Sequence, residues 1–307
     1  MRAVVPSDGR MPKSADPAIA ALETLIAHLH ERGRPRVWSL VITVFGDAVV
    51  PRGGRVALTV LQDIMARLRI EPGALRTALS RLAGDQWVTR ERRGRNSFFS
   101  LDEHGRHAFD LATRRIYAAA SPGWTGKWTV AVAAPGANAQ GGELAALGFV
   151  RINGGVHMRP ETDDAPDATE ALAGMLVIHG ESAEHPEAFR ALWPSQEIAD
   201  AYHAFIAAFR SLHEALRGGS AFSPLDAIAA RTLLVHDWRR IVLRDPGLPD
   251  ALLPPSWPGA EARSIARDVH EALAAASEAW LDAAGLPEPA DPSVLARRWR
   301  DPRQSSR

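Results

Sequence analysis

The stretch that decides the fold is ALRTALSRLAGDQWVTRERRGRNSFFSL, residues 74–101. Its first half repeats leucine at helical spacing, so Leu75, Leu79 and Leu82 share one face of a helix predicted over residues 72–83. That apolar face predicts contact with a core, and it turns the polar residues between the leucines outward. The helix is followed at once by a basic segment centred on a glycine.

This basic segment predicts a β-hairpin, because two runs with strand character, residues 88–92 and 96–101, flank the turn residue Gly94. Another helix is predicted just upstream, over residues 57–68, and Pro72 then favours the start of the next helix. Two helices joined by a short turn and followed by a hairpin predict a winged helix-turn-helix.

The outer face of the second helix and the tip of the hairpin are the predicted DNA-binding surface. An α-helix fits the major groove, where arginine pairs with guanine and Ser or Thr contacts bases or phosphates. A basic hairpin tip suits phosphates or the minor groove. The alternative is that the arginines form an ordinary solvated surface. The predicted residues are Arg76, Thr77, Ser80, Arg81, Arg92, Arg93, Arg95 and Asn96.

The charge distribution favours DNA binding. The chain has 36 basic and 36 acidic residues and no net charge. Residues 32–117 nevertheless contain 16 arginines and 8 acids, a local net charge of +8. The rest of the chain is correspondingly acidic. A basic region on an acidic body is typical of a nucleic-acid-binding protein.

Composition also excludes several classes of site. The 307-residue chain contains no cysteine, which excludes disulfides, thiolate metal sites and cysteine nucleophiles. The histidines form no metal constellation, and no cofactor-binding motif is present. No apolar run is long enough to span a membrane. We therefore expect a cytoplasmic protein without metal or cofactor.

The chain divides into four predicted segments. Residues 1–16 are predicted to be a disordered leader, and residues 17–120 the winged helix-turn-helix domain. Residues 121–190 read as strand, helix, two strands, helix and strand, the βαββαβ order of a ferredoxin-like domain. Residues 191–307 are predicted to form a helical domain for effector binding and dimerisation, with a loose end from Asp291. The predicted fold class is α+β.

Several motifs resemble, in this order, those of the PaaX family of bacterial transcriptional repressors. They are TVFGDAVVPRGG (43–54), IEPGALRTALSRLAGDQWVTRERRGRNSFFSL (70–101), RRIYA (114–118), WTGKW (124–128) and RTLLVHDWRRIVLRDPGLPDALLPPSWPG (231–259). The resemblance covers about residues 35–283. It implies a winged helix, a central ferredoxin-like domain and a helical C-terminal domain.

The resemblance also implies a function. The family's best-known members repress phenylacetate catabolic genes and release DNA on binding phenylacetyl-coenzyme A. We therefore expect a homodimeric, ligand-responsive repressor that binds a partly palindromic double-stranded operator. The alternatives are a repressor that senses another acyl-coenzyme A or a free aromatic acid.

The segment from His236 to Arg244 is the predicted effector site. On a helix, its basic residues follow one another at intervals of four beside an aromatic residue, which suits the phosphates and the acyl group of a thioester. The same residues could instead hold the C-terminal domain together. The predicted effector-binding residues are His236, Trp238, Arg239, Arg240 and Arg244.

An enzymatic alternative concerns the central domain, which resembles a small ferredoxin-like CRISPR-associated endonuclease. Such a metal-dependent nuclease needs a carboxylate near the end of its first strand. Residues Val130 to Pro135 contain no acid. The sequence therefore predicts a regulator and not an enzyme.

Overall fold

The computed structural model describes residues 16–31, 33–134, 141–162, 165–182, 184, 192, 196–289 and 291–300. Apart from Asp16, the predicted leader lies outside these residues. The helices are α1 (Pro17–Glu31), α2 (Val37–Val44), α3 (Leu58–Arg67), α4 (Pro72–Gly84), α5 (Glu103–Ile116), α6 (Gly141–Ala146), α7 (Gln196–Arg217), α8 (Pro224–Val242), α9 (Gly259–Ala283) and α10 (Pro292–Arg297). The strands are β1 (Arg55–Ala57), β2 (Val88–Arg93), β3 (Asn96–Leu101), β4 (Trp124–Val132), β5 (Val150–Asn153), β6 (Val156–Thr162) and β7 (Leu176–Glu181). This mixture of helices with two antiparallel sheets confirms the α+β class.

The first sheet follows the two helices of the opening stretch. β2 and β3 pair as an antiparallel hairpin, and Gly94 turns the chain in the left-handed region with φ 59°. The sequence did not predict β1, which pairs with the far side of β3 and sets Val56 opposite Phe99. Three residues are too few for a periodic pattern, so a strand of this length is recognised only by its partner.

The segment between α2 and β1 differs from the turn that its sequence predicts. Residues 46–54 read as a turn because of their proline and glycines, but the chain continues as a π-helical stretch, Phe45–Val49, and a 3₁₀ turn, Val50–Arg52. Tertiary contacts of Asp47 hold this irregular stretch in the interior, where only 2% of Asp47 is exposed. Gly53, with φ 88°, then ends it.

The second sheet has the strand order β5-β6-β4-β7, and its neighbouring strands are antiparallel. α6 connects β4 to β5, as predicted. The helix predicted over residues 167–173 is wrong, because the structure has only turns from Thr169 to Ala173. Asp167 accepts hydrogen bonds from the backbone and hydroxyl of Thr169, and Gly174 in the left-handed region ends the segment. These local bonds compete with a longer helix.

One continuous apolar core joins the N-terminal helices to the C-terminal helices. It runs from Ala18 to Trp299 and includes residues of α1 to α4 as well as α7 to α9. α8 is its centre, because every residue from Ala227 to His236 is buried. A helix that is buried on all sides must be enclosed by other elements. The core therefore crosses the predicted boundaries at residues 120 and 190, which themselves stay predictions.

Trp299, in the segment from Asp291 that was predicted to be loose, also belongs to this core. Trp299 is 4% exposed and packs edge-on against Tyr117, with the ring centroids 5.4 Å apart. Its backbone N–H donates to the carbonyl of Tyr117 at 3.0 Å. Arginines flank Trp299 on both sides in the sequence, so no hydrophobic pattern predicts that this side chain is buried.

Asp47 is the buried acceptor that joins these distant segments. Its carboxylate accepts hydrogen bonds from Arg231 Nε at 2.7 Å, Arg298 Nη1 at 2.8 Å and the Tyr117 hydroxyl at 2.6 Å. The two guanidinium groups also donate to its backbone carbonyl. His270 Nε2 lies 3.4 Å from the carboxylate. Residues far apart in sequence thus meet at one carboxylate.

A second carboxylate extends the Asp47 cluster toward the surface. Glu278 accepts hydrogen bonds from Arg231 Nη1 at 2.6 Å and from Arg52 Nη2 at 2.6 Å. Arg52 also donates to Asp282 at 2.7 Å. Three arginines therefore face three carboxylates, and this balance is what makes so many buried charges tolerable.

Burial and charge act in opposite directions on the pKa of Asp47. Burial alone would raise this pKa, but Arg231, the hydrogen bond with His270, and Arg298 together hold it well below the ordinary value of 3.8. The carboxylate is therefore ionised in the folded protein. Burial, aided by the charge of Arg231, lowers the pKa of His270 to about 4 against the opposing effect of its hydrogen bond with Asp47. His270 is therefore neutral at pH 7.

We predict that Asp47→Asn lowers the free energy of unfolding by about 3–5 kcal/mol, because it leaves Arg231 and Arg298 buried without their shared counter-ion. Chemical denaturation followed by circular dichroism measures the change. The matched control is Asp85→Asn at the exposed end of α4, which should change stability by no more than about 0.5 kcal/mol. Equal effects of the two substitutions would contradict the role given to Asp47.

We also predict an acid-sensitive contribution from His270. Its pKa is about 4 in the folded protein and near 6.5 in an unfolded chain, so the unfolded state binds more protons between these values. The contribution of neutral His270 to the free energy of unfolding is therefore complete above pH 6.5 and is lost as the pH falls toward 4. His270→Gln keeps an N–H donor but does not titrate. Between pH 6.5 and 4 the free energy of unfolding of this variant, measured by denaturation at several pH values, should therefore fall less steeply than that of the wild type.

Candidate nucleic-acid interface

The turn between α3 and α4 is held by a buried residue and an unusual backbone angle. Arg69 adopts φ 58°, in the left-handed region, and redirects the chain after α3. Ile70 is buried, and its N–H donates to the carbonyl of Met65 at 2.9 Å. Pro72 then begins α4, where a missing N–H has no cost. The two helices are thereby fixed at one angle.

α3 is also tied to the rest of the molecule by charge. Arg67, in its last turn, donates to Asp226 at 2.5 Å and lies 3.0 Å from Glu23. Asp226 is in the first turn of α8, and Glu23 is in α1. Arg69 also pairs with Glu23. Movement of α3 is therefore coupled to both neighbouring helices.

α4 has the two faces that the sequence predicted. Leu75, Leu79 and Leu82 are 1%, 2% and 3% exposed, which confirms that they face the core. The polar positions between them are on the opposite side and in solvent. All four predicted DNA-binding residues of the helix are exposed: Arg76, Thr77, Ser80 and Arg81.

Two of these side chains have partners on their own helix. The Thr77 hydroxyl donates to the carbonyl of Gly73 at 3.1 Å, and Arg81 lies 3.5 Å from Asp85. Both contacts are local and solvent-exposed, so a nucleic-acid group can replace them at small cost. Arg76 and Ser80, one turn apart, occupy the middle of the exposed face.

The tip of the β2–β3 hairpin is exposed and basic, with Arg92, Arg93, Arg95 and Asn96 all in solvent. Glu91 is the acidic residue among them. It pairs with Arg93 at 2.5 Å and with Arg55 of β1 at 3.1 Å. The hydrogen bond from Arg93 is the main cause of a lowered pKa of Glu91, and Arg55 lowers this pKa further. Its carboxylate therefore stays charged and competes with any anion for Arg93.

The sequence did not single out Arg90 and Arg55, although both extend the basic surface. Arg90 donates to the Ser97 hydroxyl across the hairpin at 2.9 Å, and the Arg55 guanidinium lies 3.9 Å above the Phe98 ring. Arg55 belongs to the short strand that was not predicted. Arg90 could have been found, since strand alternation sets it on the same side as Arg92.

The five predicted effector residues do not share one surface. His236 and Trp238 are buried, 3% and 0% exposed. Trp238 donates from Nε1 to the carbonyl of Ile116 at 2.8 Å, and His236 Nδ1 lies 3.3 Å from the Thr43 hydroxyl. Two residues that are eight positions apart on a helix differ in direction by about 80°. Of the basic residues His236, Arg240 and Arg244, the first is therefore buried and the last exposed.

The remaining three predicted effector residues lie where the helix passes from the core to the surface. Arg239 donates to the Thr43 hydroxyl at 2.8 Å and to the Ser39 hydroxyl at 2.6 Å, and so fastens α8 to α2. Burial, with a smaller effect of Arg240, lowers its pKa to about 10. Arg240 and Arg244 are exposed, and Arg244 pairs with Glu197 at 2.9 Å. An effector site in this segment stays a prediction, now limited to its exposed residues.

In the described part of the chain, no group of three or more His, Asp or Glu side chains is placed to hold a metal ion. None of its helices has the length and apolarity needed to cross a membrane.

An N-terminal and a C-terminal part of the chain match models of known protein families. The family model of PaaX-like proteins matches residues 36–105, and that of the PaaX-like protein C-terminal domain matches residues 193–283. The transcriptional repressor PaaX of Escherichia coli K12 is 28% identical over 289 residues, which cover 87% of this chain and 90% of that protein. Among solved structures, an uncharacterized protein from Mycobacterium tuberculosis is similar with a TM-score of 0.48 and 19% identity, covering 85% of this chain and 97% of its own. The chain belongs to the PaaX-like protein family.

Proposed function

We propose that this protein is a transcriptional repressor that binds double-stranded DNA through α4 and the β2–β3 hairpin. The observation that carries the proposal is the exposed polar face of α4 beside the basic hairpin tip, opposite a leucine face fixed in the core. The similarity to a transcriptional repressor supports a regulator and not an enzyme. It also disfavours the nuclease alternative.

In this proposal α3, α4 and the hairpin form a winged helix-turn-helix. α4 enters the major groove with Arg76 and Ser80 toward base edges, while Thr77 and Arg81 contact the adjacent backbone. The hairpin tip contacts phosphates or the neighbouring minor groove. The fixed angle between α3 and α4 and the ion pairs of Arg67 support the proposal, because a reading helix must be held rigidly.

We further propose the ferredoxin-like assignment for the second sheet. Its antiparallel order β5-β6-β4-β7 and its helical β4–β5 connection support this, although its β6–β7 connection contains turns instead of a helix. The repressor acts in the cytoplasm as a homodimer on a partly palindromic operator, because two-fold symmetry repeats the reading helix in two half-sites.

The proposed regulation is release from DNA by a small-molecule effector. The effector is phenylacetyl-coenzyme A or a related thioester, and the regulated genes serve aromatic-acid catabolism. A different acyl-coenzyme A or a free aromatic acid is the alternative. A ligand can release DNA only if it binds the low-affinity conformation more tightly.

We predict that Arg76→Ala weakens binding to the preferred site by about 1–3 kcal/mol and relaxes the base preference at one position. The site is first selected from a random duplex library with wild-type protein, and both proteins are then titrated by fluorescence anisotropy. Arg93→Ala with Arg95→Ala is the comparison, because loss of phosphate contacts should weaken specific and nonspecific DNA alike. Unchanged affinity of Arg76→Ala for the selected site would mean that α4 is oriented differently.

A separate prediction concerns Glu91, the acid within the basic tip. Glu91→Gln should free Arg93 and remove a negative charge close to the DNA backbone. Binding should tighten at low salt, and the plot of log affinity against log salt should steepen by about one. Glu261→Gln in α9 is the matched control, because it frees Arg210 on the helical body, away from the proposed DNA-binding surface. A slope unchanged by Glu91→Gln would show that the tip does not reach the phosphates.

A further inference from the structure

The second sheet has one polar face, and the strand register determines its members. Thr129 in β4 is paired with Arg159 in β6 on one side and with His179 in β7 on the other. Side chains of directly paired residues project from the same face of a sheet. Glu161, two residues beyond Arg159, shares that face because strand side chains alternate.

Within the residues that the structure describes, this face is covered at one end. Ala131, Leu144, Phe149 and Ala168 form a small apolar cluster there, between the sheet, α6 and the turns before β7. Beyond the cluster the face opens into a groove of about 740 Å³. The side chains lining it include Lys127, Arg159, Glu161, His179 and Glu181. The volume falls in the range of small-molecule sites.

Arg159 is the unusual group in this groove. Its Nη1 donates to the carbonyls of Leu147 at 3.0 Å and Pro166 at 2.9 Å, and its guanidinium lies 4.7 Å from the centre of the Phe149 ring. These neutral partners fix the guanidinium, and the nearby carboxylates of Glu161 and Asp167 act on it electrostatically. Among the described residues, its buried Nε has no hydrogen-bond partner. A desolvated cation of this kind favours an anion.

The acidic residue beside Arg159 is already engaged. Glu161 accepts a hydrogen bond from the Thr129 hydroxyl at 3.0 Å and another from His179 Nδ1. The His179 bond is the main cause of the lowered pKa of Glu161, and Lys127 contributes to it. Glu161 therefore orients the imidazole, whose Nε2 remains the second hydrogen-bonding position of the ring.

We propose that this groove binds the acidic group of a small organic anion, a carboxylate or a phosphate, between Arg159 and Lys127. The inference rests on the proposed ligand-responsive repressor and identifies where its effector is recognised. It assigns recognition to the second sheet and not to the exposed arginines of α8.

The position of the sheet suits a regulatory site. β4 begins at Trp124, a few residues after α5 ends at Ile116, so the sheet follows the proposed DNA-binding part directly. On its opposite face, Trp128 packs with Leu248 and Leu252 in the loop that follows α8. A ligand that shifts this sheet therefore acts on both the DNA-binding and the helical parts of the chain.

Calorimetric titration of the full chain tests the proposal with three probes: phenylacetyl-coenzyme A, coenzyme A and phenylacetate. Lys127→Ala should weaken binding of the tightest probe at least about tenfold, the size of one charge-assisted hydrogen bond. Arg240→Ala is the matched control and should bind as the wild type. Binding of coenzyme A alone identifies phosphate as the recognised group, whereas binding of phenylacetate alone identifies carboxylate.

Hydrogen exchange keeps the test independent of any one substitution. The bound probe should slow exchange in residues 157–162 and 176–181 more than in α8. Wild-type affinity in Lys127→Ala, loss of binding in Arg240→Ala, or failure of all three probes to bind the wild type would each overturn the proposal. Titration of each variant with DNA alone separates these results from failure of the repressor assignment, since Lys127→Ala should bind DNA like the wild type.

Discussion

The carboxylate of Asp47 is the contact on which the rest of the structure depends. It lies in an irregular helical stretch that would otherwise leave polar backbone in the core, and it gathers Arg231, Arg298 and Tyr117 from three distant parts of the chain. Desolvation offsets much of the attraction between these buried charges, so the net stabilisation is smaller than the number of ion pairs suggests. The contacts of this carboxylate stabilise the observed arrangement of α2, α8, α9 and the C-terminal segment. The angle at which α2 presents α4 to solvent follows from that arrangement.

The proposed reading surface is therefore supported from behind by the whole helical body. α8 contacts α2 through Arg239 and contacts α3 through Asp226, so two neighbouring helices of the proposed DNA-binding part rest on one central helix. The proposed effector groove lies on the second sheet, whose apolar face meets the loop that follows α8. The parts of the chain that carry the two proposed sites thus both contact α8 or the loop that follows it. A coupling between them requires only that this segment has two arrangements with different affinities for DNA.

The local parts of this structure could be predicted from the sequence, and the long-range parts could not. Leucine spacing was sufficient to orient α4, and Gly94 was sufficient to predict the hairpin. β1, with its three residues, and the buried Trp299 were missed, because each is stabilised by partners far away in the sequence. The basic row on α8 was interpreted by helical spacing alone. That spacing could not reveal that Trp238 and His236 lie in the core, nor that β4, β6 and β7 bring Arg159 and His179 to one groove.

The continuous core also bears on how such a protein can change during evolution. A DNA-binding part with its own core can be exchanged between proteins as a cassette, but here the inner faces of α2 and α3 are completed by α8. Grafted onto a different body, they would expose apolar surface and lose the partner of Arg67. If α4 and the hairpin tip bind DNA as proposed, new operator preferences arise by substitution at their outward positions. The reading face can diversify quickly, whereas the helices behind it must change together.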